Sequence, residues 1–232
     1  MDFFNNLLIL LCKGETPARA YMYLPKHHEE SQVSVLHALI QAHPLGTWVT
    51  LDHAELVTNH IPFLLDPGRG ANGTLVGHVA RANPVWHSFS TTMNSVVVFQ
   101  GAEKYISPSW YAAKKAHGKV VPTWNYAVVH AHGLPRAIED REWLLDLLNR
   151  LTDLHEAEHA APWKVADAPA DFIDRLAQTI VGIEIPIARL EGKWKVSQNR
   201  DDADKLGVVA GLLARDDDQS RQMAALVNQH VK

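Results

Sequence analysis

The chain has almost no cysteine. Cys12 is the single one in 232 residues, which excludes an internal disulfide framework and any thiolate metal cluster within one chain. That scarcity accords with a reducing cytoplasm, the location the sequence leads one to expect. Long apolar runs are missing too. Leu7 to Leu11 with Cys12 is the nearest approach to one, but it is too short to span a bilayer and no Lys or Arg precedes it as in a secretory signal. Nor is there a large excess of one charge. A formal net charge of −4 leaves the chain as a whole without an electrostatic footprint for nucleic acid or an anionic membrane. Internal repeats and low-complexity linkers are also absent. What remains is ordinary globular material, long enough to bury one large domain or two small ones. The 14 histidines and 7 tryptophans are generous, and both types often meet planar cofactors or metals.

Met22 to His27 reads as a start of its own, so residues 1–21 are expected to form an extension outside the domain. Residues 22–215 form that domain and 216–232 a C-terminal helix. The run Glu29 to Ala42 predicts an amphipathic helix with Val33, Leu36, Leu39 and Ile40 on its buried face. Strands are expected at Thr47–Leu51, Ala54–Asn59, Thr74–Val79, Val96–Gly101, Lys104–Ser107, Ala127–His132 and Leu134–Ile138, with a hairpin at Gly101–Glu103. Short strands at this spacing, joined by turn residues such as Asp66-Pro67-Gly68 and Ala71-Asn72-Gly73, argue for an antiparallel sheet closing into a barrel. The rest is helical in pattern: Asp140–Ala160, with Trp143, Leu144, Leu147, Leu148, Leu151 and Leu154 inward, then Ala170–Ile180, Asp201–Ala214 and Gln219–Val231. One strand, Gly182–Leu190, interrupts it. The economical reading is one α+β domain.

Four polar clusters could carry chemistry. Gly77 to Trp86 delivers His78 and Arg81 into a turn closed by Asn83-Pro84. A guanidinium fork beside an imidazole, with a glycine allowing close approach, suits a phosphate, although an Arg at a strand end also serves as ordinary surface. Thr58, Asn59 and His60 end a strand before Pro62 and can address the polar edge of a flat ring, or simply satisfy a strand-to-loop transition. Ser109, Trp110 and Tyr111, with Trp124 and Asn125, pair aromatics with small hydrogen-bonding groups. They suit either a ligand wall or a core with capped turns. Lys195, Gln198, Asn199 and Arg200 follow a strand and could clamp an anion or form a solvated helix entry.

Two further patterns invite over-reading. His155-Glu156-Ala157-Glu158-His159 matches the His-Glu-x-x-His of zinc hydrolases, but Pro162 ends the helix at once and no third ligand follows at the longer spacing. No metal site is therefore expected. The last two helices could be drawn as a helix-turn-helix, yet their turn is Asp216-Asp217-Asp218, which repels phosphates, so direct DNA binding is doubtful.

Taken together, Met22 to His27, Thr58 to Asp66, Gly77 to Trp86, Ile106 to Tyr111, Val121 to Tyr126, Val181 to Ile185 and Gly192 to Arg200 resemble, in order, the PaiB family of FMN-binding negative transcriptional regulators. The resemblance runs from Met22 to about Ala214. It implies an FMN-binding split β-barrel with flanking helices, working as a homodimer with FMN at the subunit interface. His78 and Arg81 would take the phosphate, and Thr58, Asn59 and His60 would line the ribityl chain or ring edge. Trp110, Tyr111, Trp124 and Asn125 would close the pocket, with Ser109 beside them and Lys195, Gln198, Asn199 and Arg200 contributing. Three roles stay open at this point: a regulator or flavin sensor, a flavin-dependent oxidoreductase, and a haem-binding protein on the same fold.

Overall fold

The computed structural model describes residues 22–232, so the extension expected at residues 1–21 lies outside the described residues. In chain order the elements are β1 (Glu29–Glu30), α1 (Val33–Ala42), β2 (Leu45–Asp52), β3 (Glu55–Pro62), β4 (Leu64–Asp66), β5 (Thr74–Ala80), α2 (Val85–Ser88) and β6 (Ser95–Ile106). They continue with α3 (Ala113–Ala116), β7 (Thr123–Gly133), β8 (Arg136–Ile138), α4 (Arg141–Glu156), α5 (Ala170–Ala177), β9 (Ile180–Pro186), β10 (Arg189–Lys195), α6 (Asp202–Leu213) and α7 (Asp218–Asn228).

The strands form two antiparallel sheets. Six lie in the order β1-β10-β7-β6-β2-β3, and four in the order β4-β5-β9-β8. The inner faces of the sheets meet around Phe63, which packs edge-on to Phe99 at 6.2 Å. The sheets come so close here that a Cβ on Gly77 would lie 3.0 Å from the Pro62 carbonyl oxygen. Alternation along β2 places Trp48 and Thr50 in this core while Leu45, Thr47, Val49 and Leu51 stand on the opposite face. Helix α4 covers the outer face of the smaller sheet. Leu147 and Leu151 pack there on Leu64 and Val76, with Trp143 at the edge. Its first turn is held by Asp140, whose carboxylate accepts from Trp143 N at 2.8 Å.

Helices α6 and α7 are less polar in role than in composition. Val208, Leu212, Met223 and Val227 are fully buried in the main core, each worth about 1.5–3 kcal/mol relative to exposure. Asp217 caps α7 by accepting from Ser220 N at 2.8 Å and pairs with Lys104 of β6 at the same distance. That lysine, then Ser220, holds the Asp217 carboxyl well below the usual carboxylate range.

Several sequence expectations are corrected. Gly101–Glu103 is no hairpin: β6 runs straight through as one strand with a bulge between Gln100 and Glu103, and Gly101 and Ala102 are buried there, with Leu39 within 3.1 Å of a Cβ on Gly101. Gly182–Leu190 is not one strand. Pro186 cannot donate to a ladder and ends β9, and the chain restarts in the other sheet as β10. Glu29 and Glu30 pair with Lys193 and Gly192 as a strand instead of opening the first helix. Val33 and Leu154 are exposed rather than buried. Helix α4 stops at Glu156, whose side chain accepts from Trp163 N at 3.0 Å, so His155 and His159 do not share a continuous helical face.

Candidate functional site

The outer face of the six-stranded sheet gathers several of the polar and aromatic residues that the sequence singles out. Paired residues of an antiparallel ladder share a face, so the register fixes what stands on it. His60, Thr47, Val98, His130 and Glu191 form one row across β3, β2, β6, β7 and β10, and Thr58, Val49, Val96, His132 and Arg189 form the next. Further along, Glu103, Tyr126 and Lys195 make a row, followed by Tyr105 and Trp124. The face thus has an apolar strip of Leu45, Val49, Leu51, Leu56, Val96 and Val98, polar groups along the middle, and aromatics with cations at one end.

This surface is open. Leu56 is 75% exposed, Trp124 53% and Tyr105 42%, the last two meeting edge to face at 6.2 Å. Leu45 and Leu56 are exposed, with Val49, Leu51, Val96 and Val98 half-buried between and beside them, and an apolar strip of this kind suits a binding surface. The cations are held in place. Lys193 donates to the Tyr23 carbonyl at 2.8 Å and sits 5.4 Å from the Tyr23 ring and 5.7 Å from that of Tyr126. Lys195 donates to Thr123 Oγ1 and to the Trp124 carbonyl, which uses two of an ammonium's three donors. Burial, then Lys193 and Arg200, lowers the Lys195 pKa; an anion placed here would relieve that repulsion.

The structure brings some of the sequence-derived site residues together and separates others. Thr58, His60, Trp124 and Lys195 share the open face. Asn59 and Asn125 lie on the other side of the sheet. Asn59 accepts from Asn83 Nδ2 at 2.7 Å, tying β3 to the turn after β5, and Asn125, 1% exposed, donates to Ser197 Oγ at 2.9 Å. Gln198 braces its own loop, accepting from Val196 N at 2.8 Å and donating to the Trp194 carbonyl. Asn199 is exposed beside it. Trp110 docks on α6, where a Cβ on Gly207 would meet its carbonyl oxygen at 2.0 Å and one on Gly211 its indole at 2.3 Å. Tyr111 is buried under the Arg200 guanidinium, 4.6 Å from its ring. Ser109 is exposed and accepts from Lys114 Nζ at 3.0 Å.

His78 and Arg81 belong to the smaller sheet. His78 stands opposite Gly182 on the face packed by α4. Its Nδ1 is buried without a partner, and burial lowers its pKa. Arg81 donates to Glu139 at 2.6 Å, the Gln178 carbonyl at 2.8 Å and the Ile180 carbonyl at 3.3 Å, and lies 5.4 Å over the Trp86 ring. A guanidinium so engaged would have to break internal bonds to take a phosphate. The face also carries His130, His132 and Glu191, which the sequence reading does not single out. The His-x-His alternation on a strand was the available signal, but Glu191 joins them only through strand pairing.

The donor set of the open face fits a flat ring with a polar edge and an anionic tail: an aromatic flank, an exposed hydroxyl and imidazole, and two lysines. Comparison with known proteins points to the same class of ligand, without bearing on the face. Residues 22–189 match the family described as "Putative FMN-binding domain". An uncharacterised protein of Emericella nidulans is 35% identical over 90% of this chain and 97% of its own. The Bacillus subtilis protein named "Protease synthase and sporulation protein PAI 2" is 28% identical, covering 91% of this chain and 99% of its own. Among solved structures, an FAD- and haem-binding protein of Mycobacterium smegmatis superposes with a TM-score of 0.53 at 14% identity, over 72% of this chain and 73% of that one.

Proposed function

Because the chain belongs to this family of FMN-binding domains, with FMN as its cofactor, we propose that it is a homodimeric flavin sensor of the PaiB type. The observation that carries the reading is the open face itself. It sets an apolar strip, which a second copy would cover, beside the groups that would recognise a flavin. Lys193 and Lys195 answer the phosphate and Trp124 and Tyr105 flank the flat ring, while Thr58 and His60, at the far corner of the face on β3, would meet its polar edge from the second copy. When bound, FMN supplies the redox chemistry. The protein's part is to hold it, exclude water from one side and present the state of the ring to a partner.

The Bacillus subtilis relative is named for protease synthesis and sporulation, which supports a regulatory role. Direct reading of DNA is not. Helices α6 and α7 bury their apolar faces in the core, and Asp216 in the turn between them and Asp218 at the start of α7 both ion-pair with Arg221. We infer that a protein partner makes any DNA contact.

The test is to add FMN to the purified chain, remove the excess, and record absorption and sedimentation together. Flavin bands at roughly 370 and 450 nm should stay with a species of twice the 25.9 kDa chain mass. Leu56→Asp, at the exposed margin of the strip, should give monomer and release flavin. A monomer that keeps its flavin would overturn the shared-face reading, and sustained turnover with NADH or NADPH would replace sensor by oxidoreductase.

A further inference from the structure

Three side chains on the open face are not used by the flavin reading, and they converge. His130 and His132 alternate on β7, so both imidazoles stand on the same side, with ring centroids 6.2 Å apart. Glu191 of β10 lies opposite His130 in register. One ligand atom from each of the three lies within 4.8 Å of the other two. Glutamate is rarely buried without a partner, yet Glu191 is 8% exposed. Its Oε2 is 2.9 Å from His132 Nε2, and Arg189 holds Oε1.

We propose that His130, His132 and Glu191 bind a divalent transition metal ion of the zinc, cobalt or nickel class. Two imidazoles and one carboxylate with no thiolate are the donors such ions take, whereas calcium and magnesium call for all-oxygen sites. Ligation takes each imidazole in its neutral form, through the ring nitrogen that carries no proton. The Arg189 ion pair fixes the orientation of the carboxylate, the part a supporting group plays around a metal ligand. Arg189 and Lys193 also oppose a dication. An ion bound at His132 Nε2 and Glu191 Oε2 takes the place of the hydrogen bond between them, and a neutral His132 then carries its proton on Nδ1. Three protein ligands leave a tetrahedral ion one position open for water or a small anion.

The experiment adds Co²⁺ to the metal-free full-length chain, with and without FMN, and reads the visible d–d bands and stoichiometry. One Co²⁺ per chain with the intense bands of a four- or five-coordinate ion, displaced by Zn²⁺, is expected. His130→Ala and His132→Ala should each weaken binding at least about tenfold, and Glu191→Gln roughly tenfold. Should an alanine variant fail to fold by circular dichroism, His130→Gln and His132→Gln keep the strand polar and make the same test. The variant His155→Ala/His159→Ala should bind Co²⁺ as the wild type does. Only the weak bands of aqueous Co²⁺, or unchanged affinity after loss of both His130 and His132, would overturn the site. Flavin content read in the wild-type sample separates the two ideas: a wild-type chain that holds flavin but no Co²⁺ refutes the metal site alone, and one that holds Co²⁺ but no flavin refutes the flavin face alone.

Discussion

Replacing Trp124 and Lys195 together by alanine is expected to weaken FMN binding about a hundredfold. A flat ring packed on an exposed indole gains about 0.5–1.5 kcal/mol beyond area burial. A charge-assisted contact from an ammonium is worth about 1.5–3 kcal/mol, and the sum near 3 kcal/mol corresponds to about two decades in Kd. Neither residue belongs to the core: Trp124 is half exposed, and Lys195 is tied only to its neighbours Thr123 and Trp124. The chain should therefore stay folded, and a fluorescence titration of flavin with each single variant and the double variant would resolve the two contributions. Arg81→Ala is the informative contrast. Its guanidinium is committed to Glu139 and two carbonyls, so it should change FMN affinity by less than about twofold while lowering stability by about 1 kcal/mol. A large affinity loss in Arg81→Ala with none in the double variant would move the phosphate site to the turn after β5.

Gly133→Val should be among the most destabilising single substitutions in the chain. Gly133 ends β7, where the backbone leaves the larger sheet for the smaller, and a Cβ there would fall 2.2 Å from the Pro186 carbonyl oxygen and 2.8 Å from Ile185 Cγ2. Backbone cannot swing aside as a side-chain tip can, so β9 and β7 must separate at the junction of the sheets. Overpacking of this kind costs about 1–3 kcal/mol, and with a rigid partner the loss should be about 3 kcal/mol or more. Gly118→Ala is the comparison. Gly118 has φ +69°, but the nearest atom to a Cβ is 4.0 Å away in an exposed loop. It should cost only about 1 kcal/mol, from conformation alone. Urea midpoints for the two variants measure the difference, and a Gly133→Val loss no larger than that of Gly118→Ala would contradict the close crossing.

The α+β class and most elements were legible because periodicity is local. Thr74–Val79 and the α4, α6 and α7 helices lie within a few residues of their expected bounds. The failures have particular causes. The turn of the β2–β3 hairpin is His53-Ala54, both at positive φ, without the Gly or Asn that normally announces it. Gly101 imitates a turn but makes a bulge, because what decides is the burial of Gly101 and Ala102 beneath Leu39. Pro186 was a visible break in the run Val181–Leu190, and weighting it would have divided β9 from β10.

For the site, composition shows which residues can meet a flavin but not which face each occupies. Thr58 and Asn59 are neighbours in sequence and on opposite sides of the sheet; so are Trp124 and Asn125. The row that joins His60 to Glu191 crosses five strands, and its register comes from tertiary pairing that no local pattern encodes.

The central claim is that FMN lies on the open face of the six-stranded sheet. Hydrogen–deuterium exchange of the chain with and without FMN tests it most directly. Protection is expected in segments 56–62, 96–100, 123–132 and 189–195, with little change in 78–86 and 139–144. Protection confined to those last two segments, around Arg81 and Glu139, would contradict it.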